Sequence, residues 1–174
     1  MTLEKWDVYD ENGVKTGKVT VRGQDSLRSG EYHLVVHIWI LSKEGNILIQ
    51  RRSDTKKLMP GEWAATGGAA ISGEDSFTAA SRELFEELGI KSDKSTLKKL
   101  IRIKRRNSFL DVWFIESNVK VSDLKLQKSE VADAKWVTRN HLLNMISKGA
   151  FHNYGNEYFS KIFEKIDDLK GVTV

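Results

Sequence analysis

The chain has 174 residues, with 28 Lys and Arg against 24 Asp and Glu and a formal net charge of +4. Hydrophobic residues at 40% and charged ones at 30% exclude a disordered chain. So mild a basic excess gives no ground to expect a nucleic-acid partner. There is no cysteine, which excludes disulfides, thiolate zinc sites, iron–sulfur clusters and a Cys nucleophile.

No stretch approaches the ~20 apolar residues of a membrane span. The longest run, Leu34 to Leu41, is interrupted by His37. Met1 to Trp6 lacks the basic flank and apolar core of a signal peptide, so a cytoplasmic protein with no membrane partner is expected. Asn12-Gly13 between two alternating stretches predicts an N-terminal hairpin. A polar connection, Arg22 to Gly30, follows it. His33 to Ser42 and Asn46 to Arg52 are rich in Ile, Val and Leu and read as strands. Ser53 to Gly61 reads as a basic loop, and Glu62 to Thr66 as a short strand broken by Gly67-Gly68.

From Asp75 to Leu88, Phe77, Ala80, Leu84 and Leu88 fall on one helical face. Glu74, Asp75 and Ser76 suit its start, and Gly89 suits its stop. Leu97 to Arg106, Ser108 to Val119 and Ala134 to Thr138 read as strands. His141 to Ser147 and Tyr158 to Leu169 read as helices. The order is a mixed α/β pattern, with strands on both sides of a central helix.

That central helix carries Glu83, Glu86 and Glu87 at i, i+3 and i+4, with Arg82 at the edge of the same face. Like charges at this spacing repel by a few tenths of a kcal/mol when exposed, and by more when water is excluded. A solvated acidic face would tolerate that cost. A divalent cation would reverse its sign, and an all-oxygen donor set without Cys or His selects a hard ion, Mg²⁺ or Mn²⁺.

The flanking residues favour the second alternative. Gly68, Glu74, Arg82-Glu83-Leu84, Glu86-Glu87 and Gly89-Ile90 resemble the Nudix box, G-x5-E-x7-R-E-U-x-E-E-x-G-U with U apolar, at every fixed position. A chance match in a chain this size is on the order of one in ten million. The resemblance implies the Nudix fold, a mixed sheet sandwiched between helices, here with an N-terminal hairpin extension. Residues 1–30 would form that extension and 31–174 the hydrolase domain. It implies hydrolysis of a diphosphate linkage in a nucleoside diphosphate derivative or a related organic diphosphate, with Mg²⁺ or Mn²⁺. By position, Glu83, Glu86 and Glu87 would be metal ligands, aided by the Gly67 or Gly68 carbonyl. Glu83 is also a candidate base, and Arg82 would hold the carboxylates in place. Glu74 and Gly89 would be structural. Glu130, outside the box and before a strand, is a further candidate acid, with Glu116 and Asp133 behind it.

Tyr32-His33-Leu34 and the segment Arg51 to Trp63 resemble the region before the box in isopentenyl-diphosphate isomerases and their hydrolase relatives. In that branch a basic pair grips the diphosphate, which would fall to Arg51 or Arg52 with Lys56 or Lys57. Isomerase chemistry in this family needs a Cys after the Trp63-like position. Here Ala64 to Ala70 contains neither Cys nor His, which favours a hydrolase. A non-catalytic nucleotide-binding domain is the remaining alternative, and the intact box speaks against it. Trp39, Trp63, Trp113 and Trp136 are expected in the core, and His33 and His37 share a sheet face. The run Lys104-Arg105-Arg106 is expected to mark a strand end at the surface. Phe151 to Asn156 are candidates to close over a ligand, and the last helix is a candidate homodimer face.

Overall fold

The computed structural model describes residues 3–24 and 26–171. Strand β1 (Lys5–Tyr9) pairs antiparallel with β2 (Lys15–Val21) as a separate two-stranded sheet. The Asp10 carboxylate closes the turn by accepting from the Asn12 and Val14 amides, both at 2.9 Å. The hairpin is tied down through Tyr9, bridged to Tyr32. Asp7 accepts from the Ser72 hydroxyl at 2.7 Å and the Gly73 amide at 3.0 Å.

The main sheet is built on β3 (His33–Leu41), which pairs parallel with β8 (Ser108–Glu116) along its whole length. On its other edge β3 serves two partners. Val35 to Ile38 pair with β6 (Thr66–Ala69), and Ile40 and Leu41 pair with β4 (Ile47–Arg52). Strand β4 therefore diverges from β3 and pairs with β5 (Trp63–Ala64) and β9 (Val131–Val137) instead. Strand β7 (Lys98–Lys104) closes the far edge against β8. Apart from Glu116, β8 is buried throughout, as a central strand with parallel pairing requires.

Helix α1 (Ser76–Leu88) covers one face. Asp75 caps it, accepting from the Thr78 amide, and Gly89 ends it in the left-handed region at φ 73°. Its Ala79, Ala80, Leu84 and Leu88 pack with Leu34, Val36, Ile38 and Trp113. The opposite face is covered by α2 (Arg139–Ser147) and α3 (Asn156–Lys170), whose Leu142, Ile162 and Ile166 are fully buried against Trp39, Ile47 and Leu110. Full burial of such an aliphatic side chain contributes about 2 kcal/mol. The layering is that of a mixed sheet between helices. Among the described residues no helix is long and apolar enough to cross a membrane.

Two local expectations are corrected. Gly67-Gly68 do not break the chain, since β6 runs through both; the interruption falls at Ala65. Pairing with β3 carries the backbone, and only glycine fits at 67. Its φ is 155°, and a Cβ there would lie 2.1 Å from the Val36 carbonyl oxygen. The late strand begins at Val131 rather than Ala134, because pairing with Arg52 and Arg51 extends it.

Candidate active site

The divergence of β3 and β4 opens a cleft, and α1 turns its acidic face into it. Glu87 is only 3% exposed. Gln50, on the β4 face that also carries Leu48, donates its side-chain amide to Glu87 Oε2 at 2.9 Å, and the Gly67 amide donates to the same oxygen at 3.2 Å. Burial, with repulsion from Glu83, pushes the Glu87 carboxyl up to about 8. Glu83 is also raised, chiefly by burial, with Arg82 opposing the shift. Gly68 leaves the room Glu83 needs, since a Cβ at 68 would meet the Glu83 carboxylate at 2.3 Å.

Arg82 organises the group. Its Nε and Nη2 fork onto Glu74 at 2.7 and 3.0 Å, Nη2 also reaches the Ala69 carbonyl at 3.1 Å, and Nη1 bridges Glu83 at 2.9 Å and Glu86 at 3.1 Å. These bonds, those donated to Glu74 first, hold the guanidinium above its ordinary range. Glu74 also accepts from the Ile71 amide, joining the loop to the helix. At Gly89 a Cβ would strike Lys125 at 2.8 Å, so the helix end is tightly packed as well.

Glu130 lines the same cleft, ion-paired with Lys56, and its charge raises both Glu83 and Glu87. Arg52 lines it too, with Nε on the Leu58 carbonyl at 3.1 Å. Arg51 points to the other face of β4 and pairs with Asp54 at 2.9 Å, while Lys57 is exposed and lines no part of the cleft. Alternation along a strand separates Arg51 from Arg52, and sequence alone does not say which side the cleft takes. Glu116 and Asp133 lie outside its lining. Gln50 escaped the sequence reading. The signal was there, in a lone amide following the apolar run Ile47 to Ile49.

The donor set suits a hard divalent cation. Three helix carboxylates share the cleft, Glu87 is charged at neutral pH only against a burial cost, and the buried Gln50 Oε1 has no partner. The carboxylates are not already gathered: Arg82 holds Glu83 and Glu86, and among the described residues no three acidic, Cys or His groups surround one point. Glu86 is half-exposed and has the freedom to turn.

A second lobe of about 570 Å³ opens from the first, sharing Arg52, Gly67 and Gly68 with it. Trp6 stacks on His33 at 4.2 Å beside it, and Tyr154 stands over His37 at 4.7 Å. Burial lowers His33 to about 4 and His37 to about 3, so both are neutral at pH 7. Trp39 Nε1 donates to the Tyr158 hydroxyl at 2.9 Å, and that hydroxyl also shares a hydrogen bond with His37 Nδ1 at 2.9 Å.

The NUDIX domain family model matches residues 31–155. The uncharacterized Nudix hydrolase lmo0368 of Listeria monocytogenes is 43% identical over 153 residues, covering 87% of this chain and 90% of that protein. An isopentenyl-diphosphate Delta-isomerase of Streptomyces avermitilis is 26% identical over 156 residues, 85% of this chain and 78% of its own. The crystal structure of DR0079 from Deinococcus radiodurans matches with a TM-score of 0.75 and 26% identity, covering 91% of this chain and 97% of that one. Kinship, layering and an acidic helix turned into a cleft agree, and the chain belongs to the Nudix hydrolases, a family that splits pyrophosphate linkages with the general help of divalent metal ions.

Proposed function

We propose that this protein hydrolyses the P–O–P linkage of an organic diphosphate, a nucleoside diphosphate derivative or a related compound, with Mg²⁺ or Mn²⁺. Residues 31–174 would be the catalytic unit and residues 1–30 an extension packed on it. The observation that carries the reading is one cleft lined by Glu83, Glu86, Glu87 and Glu130 together with Arg52 and Lys56. Isomerase chemistry gains no support, since the sequence has no Cys to serve it.

Glu83, Glu86, Glu87 and the Gly68 carbonyl would hold the cation, which when bound offsets phosphate charge and acidifies a coordinated water. Gln50 and the Gly67 amide keep Glu87 in place. Arg82 sets the direction of Glu83 and Glu86. Arg52 and Lys56 take the diphosphate oxygens. Binding the substrate draws Lys56 away from Glu130 and leaves that carboxylate free to accept a proton. Either Glu130 or Glu83 removes the proton of the water that attacks phosphorus, while Arg52 and Lys56 meet the charge of the departing phosphate.

Phosphate release from a panel of organic diphosphates, with each metal and with chelator, tests this reading. Glu83→Gln and Glu87→Gln are expected to lower kcat at least about 100-fold, with melting temperatures near that of the parent. Near-parental turnover by both variants would remove these residues from the mechanism.

A further inference from the structure

The two lobes of the cleft differ in charge. The first is lined by five glutamates set against Arg22, Arg52, Lys56 and Arg82. The second has no Asp or Glu in its lining and three arginines, Arg22, Arg52 and Arg105. Arg22 is neutralised by Glu4 at 2.8 Å, and Arg52 is engaged by the Leu58 carbonyl. Arg105 is different. It follows β7, its backbone amide is tied to the Ser108 carbonyl at 2.8 Å, and its side chain is half-buried. That side chain makes no hydrogen bond, ion pair or ring contact with any described residue. Tyr154, Tyr158 and His37 around it are all neutral at pH 7, and Glu157, which lines a neighbouring cavity with it, is already paired with Lys161 at 2.6 Å.

We propose that Arg105 binds a second anionic group, a carboxylate or phosphate on the moiety beyond the scissile diphosphate, and so determines which diphosphates the enzyme accepts. The inference rests on the hydrolytic reading of the first lobe. Its physical basis is the cost of a partly desolvated guanidinium without an anion, which a ligand would repay through a two-pronged, charge-assisted contact. His37, a buried neutral imidazole held by Tyr158, adds a fixed polar ring to the same lobe. The two lobes share Arg22, Arg52, Gly67, Gly68 and Ala69 in their linings, so the part of a substrate beyond a diphosphate held in the first continues into the second. A prenyl tail there would strip water from Arg105 and His37 and replace none of their hydrogen bonds.

The test uses substrate pairs that differ by one anionic group, at fixed Mg²⁺: UDP-glucose against UDP-glucuronate, and NAD against NADP. The parent enzyme is expected to favour the charged member of at least one pair about tenfold or more in kcat/KM. Arg105→Gln should collapse that ratio toward one, mainly through KM, and Arg105→Lys should restore part of it. Arg105→Gln should also melt no lower than the parent, because it removes an uncompensated charge; a structural role would lower the melting temperature. Calorimetric binding of the same pairs to the Glu83→Gln protein reads the preference without turnover. Arg105-dependent binding of the charged member without hydrolysis by the parent would support this proposal while the hydrolase reading fails. Hydrolysis of both members at equal efficiency would sink the proposal and leave the hydrolase standing. Equal binding of both members, or binding of neither, would overturn it as well.

Discussion

Gly68 shows how one missing side chain positions a cleft carboxylate. Its hydrogen stands where a Cβ would overlap the Glu83 carboxylate. Gly68→Ala should therefore displace Glu83 rather than unfold β6, because its backbone does not occupy the left-handed region. A shift of that carboxylate by about 1 Å should lower kcat about 100-fold. Steady-state kinetics paired with a melting curve checks the split between activity and stability. Arg82 works on the same scale. Its fork on Glu74 fixes the guanidinium, so that its remaining nitrogen can aim two carboxylates that would otherwise repel.

At the scale of elements, the junction of β7, β8 and α1 is held by Asp111, a fully buried carboxylate in the middle of β8. Burial pushes its carboxyl up, but hydrogen bonds from Arg102, Lys99 and Ser76 outweigh burial and hold it below the usual range. Arg102 grips it with two bonds, at 2.6 and 2.8 Å, and Lys99 adds one at 2.7 Å. Asp111→Ala should cost about 2 kcal/mol at pH 7, as loss of charge-assisted hydrogen bonds does, with exposed parts of both cations rehydrating. The sign with pH follows from the depressed pKa. The stabilisation is complete above the unfolded carboxylate's pKa of about 4 and fades as pH falls through the lower folded value. Denaturant titrations at pH 7 and in strong acid should show the difference between parent and variant shrinking at low pH.

Across the whole molecule, two histidines on β3 set an acid limit well above that of Asp111. His37 and His33 are lowered to about 3 and about 4 by burial, while the unfolded chain protonates near 6.5. Between those values the unfolded state binds more protons, so stability is lost as pH falls from 6.5. His37 alone should cost roughly 3 kcal/mol by pH 4. A pH series of melting temperatures should decline across that interval, and His37→Gln should flatten the decline. An unchanged slope in the variant would remove His37 as the cause.

The amino-acid sequence alone determined what depends on neighbours along the chain. The hairpin turn at Asn12-Gly13, the caps at Asp75 and Gly89, and the run of Glu83, Glu86 and Glu87 along one helical face are all matters of short-range geometry, and the spacing of the box made the family legible. Strand identities were legible too, since branched apolar runs pack on pleated surfaces. What the tertiary structure decided was which side of each element meets which other. Arg52 rather than Arg51 enters the cleft, Gln50 anchors Glu87, β6 runs on through its glycines, and Arg105 turns inward from a run expected at the surface. Each outcome depends on where β4 leaves β3 and on how α1 and the segment before α3 settle on the sheet. Those contacts join residues far apart in sequence, and no local pattern encodes them.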